Sequence, residues 1–232
     1  MIAVIASMES EFQFLDKAEH IEDVKQGVFT FRRYVLSGTD IVTGICGTGK
    51  VAAAICAQKI IDAFCPSMVI SIGTSGSMDD SVRVNTVVVA EDIVQHDFDA
   101  SAFGYRKGEQ CELGVVEMKC SERFLDAARR KYSSYGNVVF GRVLSGDRVI
   151  VSSDEKKLLN GQFGPAACCE MECAAIAECC LINGTEFAAV KGISDGDSSE
   201  DEREDEFRNN IVSASASLGE ILTGILTSGE VC

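Results

Sequence analysis

The chain is short of the residues that hold metals. Histidine occurs only at His20 and His96, and no Cys-x-x-Cys pair is present, so no structural metal is expected. Positive charge is scarce as well: 21 Lys and Arg stand against 36 Asp and Glu, a formal net charge of −15. That balance argues against a nucleic-acid backbone or an anionic membrane as partner. No apolar run approaches the roughly 18 residues of a membrane span. No Pro-rich or Ser-rich linker interrupts the sequence, so residues 1–232 read as one domain.

What is present is the balance of an ordinary globular protein, 46% hydrophobic and 25% charged, enough for a core without covalent staples. Eleven cysteines resemble a disulfide set at first sight. The count is odd, however, Cys168-Cys169 and Cys179-Cys180 are neighbours, and no basic residue precedes the opening apolar stretch. Reduced cysteines acting as small core residues in a cytoplasmic protein are therefore expected. Residues 195–206 hold eight acids against one Arg and read as a solvated loop leading into a helix.

Short apolar runs alternate with helical stretches. Strands are expected at 2–6, 27–36, 40–45, 67–73, 85–95, 137–144, 166–169 and 186–193. Helices are expected at 9–17, 49–64, 121–132, 154–160, 171–183 and 205–228, with a long functional loop at 96–113. Alternation of this kind implies an α/β fold with a mainly parallel or mixed sheet between helices.

Three acids follow closely on buried strands: Glu11 after Ile2–Ala6, Glu172 after Ala166–Cys169, and Asp195 after Phe187–Val190. In open α/β sheets, ligands bind outside the carboxyl ends of the strands, so these groups are placed to converge on one polar molecule. Gly44-Ile45-Cys46-Gly47-Thr48-Gly49-Lys50 fits the spacing of a phosphate loop, but Val51 stands where the magnesium-binding hydroxyl belongs. It reads instead as a turn bringing backbone close to a ligand. Gly73-Thr74-Ser75-Gly76-Ser77 reads as a second glycine-rich turn. Glu170-Met171-Glu172 at a strand-to-helix switch suits a sugar diol held by carboxylate against an apolar wall, and Ser194 stands beside Asp195 to orient it.

Together these segments resemble the nucleoside phosphorylase/nucleosidase superfamily, and within it the 5′-methylthioadenosine/S-adenosylhomocysteine nucleosidases. The likeness runs in order through Ala6–Glu11, Gly47–Ala54, Gly73–Gly76, His96–Asp99 with Ala102–Tyr105, Ser145–Asp147, Glu170–Glu172 and Ile193–Asp195. It implies a three-layer α/β/α fold whose central mixed sheet closes partly into a barrel, no cofactor and no metal, a small-molecule adenine nucleoside as partner, and a homodimer. It further implies that Glu11 activates water, that Asp195 with Ser194 protonates the leaving base, and that Met171 and Glu172 hold the ribose. Thr74, Ser75, Gly76 and Glu170 would stand near the sugar, and Val149 and Ile150 would read adenine through their backbone. Met8, Thr48 and Val149 would line the 5′ end, with Phe207 as the nearest candidate for a further pocket Phe. Ala100, Phe103 and Cys111 would come from the partner subunit.

The chemistry agrees. An N-glycosidic bond breaks through an oxocarbenium-like sugar, so the base needs a proton donor and water needs a base on the other face. Two alternatives stand beside hydrolysis of 5′-methylthioadenosine, S-adenosylhomocysteine, 5′-deoxyadenosine or aminofutalosine. One is a phosphate-dependent purine nucleoside phosphorylase; Arg32, Arg33 and Arg148 support it, but residues 1–31 and 67–82 hold no Arg. The other is a non-catalytic nucleoside-binding or storage protein. Thr48, Val149 and Ala100 are smaller or more polar than the family pattern, so a wider, more polar 5′ pocket is expected.

Overall fold

Five strands close on one another. The structure is a computed structural model that describes residues 1–196 and 203–231, with side chains from 205 onward in the second stretch. The strands are β1 (Ile2–Ala6), β2 (Glu19–Gln26), β3 (Phe29–Leu36), β4 (Thr39–Ile45), β5 (Met68–Ser77), β6 (Val87–Gln95), β7 (Glu117–Lys119), β8 (Val138–Ser145), β9 (Cys168–Glu170) and β10 (Glu186–Asp195). The helices are α1 (Lys50–Phe64), α2 (Glu122–Tyr132), α3 (Ser153–Phe163), α4 (Cys173–Asn183) and α5 (Arg203–Leu226).

β10, β6, β8, β9 and β5 form a ring, because β10 pairs with β5 as well as with β6. The sheet then runs from β5 through β1, β4 and β3 to β2. The β1–β4, β1–β5 and β5–β10 pairings are parallel, β6–β10 and β5–β9 are antiparallel, and β2 to β4 form an antiparallel meander. α1 packs with α4, while α5 packs on β10 and on the 3-10 segment Glu9–Lys17. The mixed, partly closed sheet flanked by helices is thus the one expected from the sequence.

Every residue of β1 is buried, as a strand with a parallel neighbour on each edge requires. Each Ile or Val so buried stabilises the fold by about 1.5–3 kcal/mol relative to exposure. Ser121 caps α2 by accepting from the Phe124 N–H at 3.4 Å. The helix–sheet contacts are close: a Cβ on Gly192 would lie 2.6 Å from the Ala214 carbonyl of α5. That approach seats the middle of α5 against β10.

Several expectations need correction. β2 was not anticipated, because Glu19–Gln26 is a mostly exposed edge strand with no buried face to produce an alternation. β7 is three residues long and carries no periodic signal. The expected strand 27–36 starts at Phe29, since Gly27 has φ 65° in the turn before it. Residues 9–17 form a 3-10 helix kinked at Phe12. The Gly73–Ser77 segment is not a turn; it continues β5 and pairs with both β10 and β9. Of the acidic stretch 195–206, residues 197–202 lie outside the described residues.

Ten cysteines are described, all as free thiols, and eight of them are buried. Burial pushes the Cys56 and Cys120 thiols up to about 12. They are packing residues, poorly suited to act as nucleophiles. Among the described residues, no helix is long and apolar enough to cross a membrane.

Candidate active site

A cavity of about 540 Å³ opens beside the carboxyl ends of the barrel strands. Met8, Thr48, Thr74, Ser75, Gly76, Val149, Ile150, Glu170, Met171, Glu172, Ser194, Asp195 and Phe207 all line it. These residues come from seven separate stretches of chain, and the fold brings them to one place. Glu11 stands immediately behind the wall, 1% exposed and bonded to three lining residues.

The Glu11 carboxylate is held from two sides. Its Oε2 accepts from the Ser7 N–H and hydroxyl at 3.1 Å and from the Met8 N–H at 3.0 Å. Its Oε1 accepts from the Thr74 N–H at 2.7 Å and hydroxyl at 3.2 Å. Gly73 makes this approach possible: its φ is +148°, and a Cβ there would lie 2.9 Å from Glu11 Oε1. Gly76 plays the same part for Asp195, whose Oδ2 would be 3.1 Å from an added Cβ. The glycines in this strand therefore admit carboxylates rather than make a turn.

Asp195 ends β10 and is 9% exposed. The Ser194 hydroxyl donates to its Oδ1 at 2.8 Å, as expected for a residue that orients the acid. Asn210 of α5 donates to the Ser194 carbonyl at 3.2 Å and ties the strand end to the helix that carries Phe207.

Glu172 precedes α4 and accepts from the Gly49 N–H at 2.7 Å. The Lys50 N–H is taken by Asp147 at 2.8 Å, and the Lys50 ammonium by Asp97 at 2.7 Å. Carboxylates thus already occupy three donors of the phosphate-loop lookalike. Gly44 lies within β4, where a Cβ would meet Ile60 at 2.9 Å, so that glycine serves helix–strand packing.

Burial, then repulsion by Glu170, pushes the Glu172 carboxyl up to about 7; the Gly49 N–H and Lys191 act in the opposite direction. A carboxyl raised from 4.5 to about 7 weakens the fold when it is charged. Its cost is absent below pH 4.5, grows as pH rises, and levels off above about 7. At some 1.4 kcal/mol per unit, the full effect is on the order of 3 kcal/mol. Glu172→Gln is therefore expected to melt several degrees higher than the native chain at pH 8 and nearly equally at pH 4.5. Equal melting temperatures at pH 8 would show that Glu172 carries no such cost.

Glu170 borders the cavity, yet its carboxylate faces inward. It accepts from the Cys173 N–H at 3.0 Å, the Glu172 N–H at 3.2 Å and the Lys191 ammonium at 3.0 Å. Three features escaped sequence reasoning. Ser7, within the Ala6–Glu11 motif, proves to hold Glu11. Val151 and Cys169 line the cavity without any chemical signature. Lys191 is a buried cation inside an apolar strand.

Of the three arginines favouring a phosphate acceptor, only Arg148 lines the cavity. Arg32, Arg33 and Arg148 are paired with Glu9, Glu22 and Glu155 at 2.6, 2.6 and 2.5 Å. Those partners oppose phosphate binding. Ala100, Phe103 and Cys111 do not line the cavity; they lie in the 96–113 segment, with Phe103 85% exposed.

Known proteins match the chain over nearly its whole length. The family described as the phosphorylase superfamily matches residues 1–227. A 5′-methylthioadenosine/S-adenosylhomocysteine nucleosidase of Staphylococcus haemolyticus is 32% identical over 229 residues, covering 97% of this chain and 100% of its own. The crystal structure of the nucleosidase of that name from Neisseria meningitidis, in complex with methylthio-immucillin-A, superposes with a TM-score of 0.91 at 30% identity, covering 98% of both chains. The Colwellia psychrerythraea nucleosidase in complex with adenine gives a TM-score of 0.90 at 27% identity, covering 99% of this chain and 95% of that one.

Proposed function

The chain belongs to the phosphorylase superfamily and, within it, to the 5′-methylthioadenosine/S-adenosylhomocysteine nucleosidases, and from this we propose that it hydrolyses the N-glycosidic bond of 5′-substituted adenine nucleosides and releases adenine. The observation that carries the reading is the convergence of Glu11, Glu172 and Asp195 at one cavity, where the one lining cation among the described residues, Arg148, is paired with Glu155.

Glu172 accepts from the ribose hydroxyls, with Met171 as the apolar wall beneath the sugar. Asp195, oriented by Ser194, gives a proton to N7 of adenine as the C1′–N9 bond breaks and its electron pair moves into the base. Water adds to C1′ from the opposite face, and its proton passes to Glu11. Each transfer of this kind contributes about 10²–10⁴-fold. Val149 and Ile150 offer backbone groups to adenine. Met8, Thr48 and Val149 surround the 5′ substituent, and Phe207 closes the cavity from α5.

We also read residues 1–232 as one domain and the active species as a homodimer. In the dimer a second copy covers exposed Val51, Ile55 and Ile182 on α1 and α4 and contributes Ala100, Phe103 and Cys111 to the 5′ end. Thr48 and the 68% exposed Val149 leave that end wide and partly polar, which suits a long 5′ group as well as methylthio.

A substrate panel read as released adenine tests the assignment. We expect equal rates with and without phosphate, and a homocysteinyl substrate cleaved within about tenfold of methylthioadenosine. A strict phosphate requirement would transfer the chain to the phosphorylases. No adenine from any substrate would leave a binding protein.

A further inference from the structure

Hydrolysis does not by itself account for Lys191 in β10. It is 2% exposed, yet it carries an ammonium group. Its Nζ donates to Glu170 Oε2 at 3.0 Å and to the Ser71 hydroxyl at 3.0 Å, and it lies 3.5 Å from the Ile72 carbonyl. Burial opposes the charge, but Glu170, Cys173 and Glu172 together more than offset it and hold the ammonium above its ordinary range. A buried ion pair is weak support for stability, because desolvation cancels much of the attraction. The pair needs another reason to exist.

The second half of the contact supplies one. The carboxylate that Lys191 fixes also accepts from the N–H groups of Glu172 and Cys173. Those are donors at the start of α4, which have no partner within the helix. One chain of contacts therefore runs from Ser71 on β5, through Lys191 on β10 and Glu170 on β9, to the backbone of Glu172. We propose that Lys191 and Glu170 are a positioning pair that sets the geometry in which the Glu172 carboxylate meets the ribose diol. This rests on the sugar-binding role given to Glu172 above.

The pair also acts on Glu172 through its charges. Glu170, Lys191, Glu11 and the Cys46 thiol act on it electrostatically, and Asp195 and Arg148 line the same cavity. Glu170 and Glu11 favour its protonated form, and Lys191 favours its carboxylate. Since Glu172 takes up a proton near pH 7, KM of the native chain should rise as pH falls through that value. Glu170→Gln removes the repelling charge and should move this midpoint down by about one pH unit. Lys191→Met should move it up by a similar amount, and Lys191→Arg should leave it near the native position.

Lys191→Met strands the Glu170 charge and is the variant at risk of misfolding, so the neutral pair Glu170→Gln with Lys191→Met is measured beside it. At pH 8 that double variant should show KM raised about tenfold, the cost of a loosened first turn. An unmoved midpoint in Glu170→Gln, with the double variant within twofold of native KM, would overturn the proposal. Glu172→Gln serves as the control. If it leaves KM unchanged at pH 8, the sugar-binding role itself is wrong. If it raises KM while the Glu170 and Lys191 variants do not, only the positioning pair falls.

Discussion

Asp195→Asn should lower kcat for adenine release by about 10²–10⁴-fold, the range of a lost general acid. Adenine leaves as an anion unless a proton reaches its ring, and an amide has no proton to transfer at neutral pH. The substitution is nearly isosteric. Its amide oxygen still accepts from the Ser194 hydroxyl, and the contact of that side chain with Gly76 keeps its shape. The fold and the binding of product adenine should therefore survive, so a thermal melt and an adenine titration recorded on the same sample separate chemistry from unfolding. A variant within tenfold of native kcat would remove Asp195 as the proton source.

Glu11→Ala should be comparably inactive, and for it a rescue is expected. Five donors from Ser7, Met8 and Thr74 surround the missing carboxylate. The truncation leaves a small space against Gly73 in which those donors face one another without an acceptor. Formate fits such a space, satisfies the donors and supplies a base. We expect kcat to fall by about 10²–10⁴-fold and to recover in part as formate is added. Glu11→Gln should not be rescued, because its side chain fills the space and sets an NH₂ group among the donors. A Glu11→Ala enzyme as fast as native would mean that water is activated elsewhere.

The acids of this site were legible for a simple reason. Each follows a run such as Ile2–Ala6 or Phe187–Val190 that can only be a buried strand, and strand ends are where such sheets bind ligands. The Gly73–Ser77 segment misled because glycine has two uses. Its freedom suits a turn, but here the missing Cβ admits Glu11 and Asp195 to the strand. β2 was invisible because an exposed edge strand has no core-facing pattern to display. Lys191 was missed because a cation within an apolar run is readable only once its partner Glu170, on another strand, is known.

The placement of the three acids around a single ribose is tested most directly by a crystal structure with a non-hydrolysable adenine nucleoside analogue bound. The account predicts the analogue in the cavity, with Asp195 within hydrogen-bond reach of the base at N7, Glu172 on the ribose hydroxyls, and Glu11 on a water facing C1′. An analogue bound elsewhere, or bound here with Asp195 and Glu11 on the same side of the sugar, would contradict it.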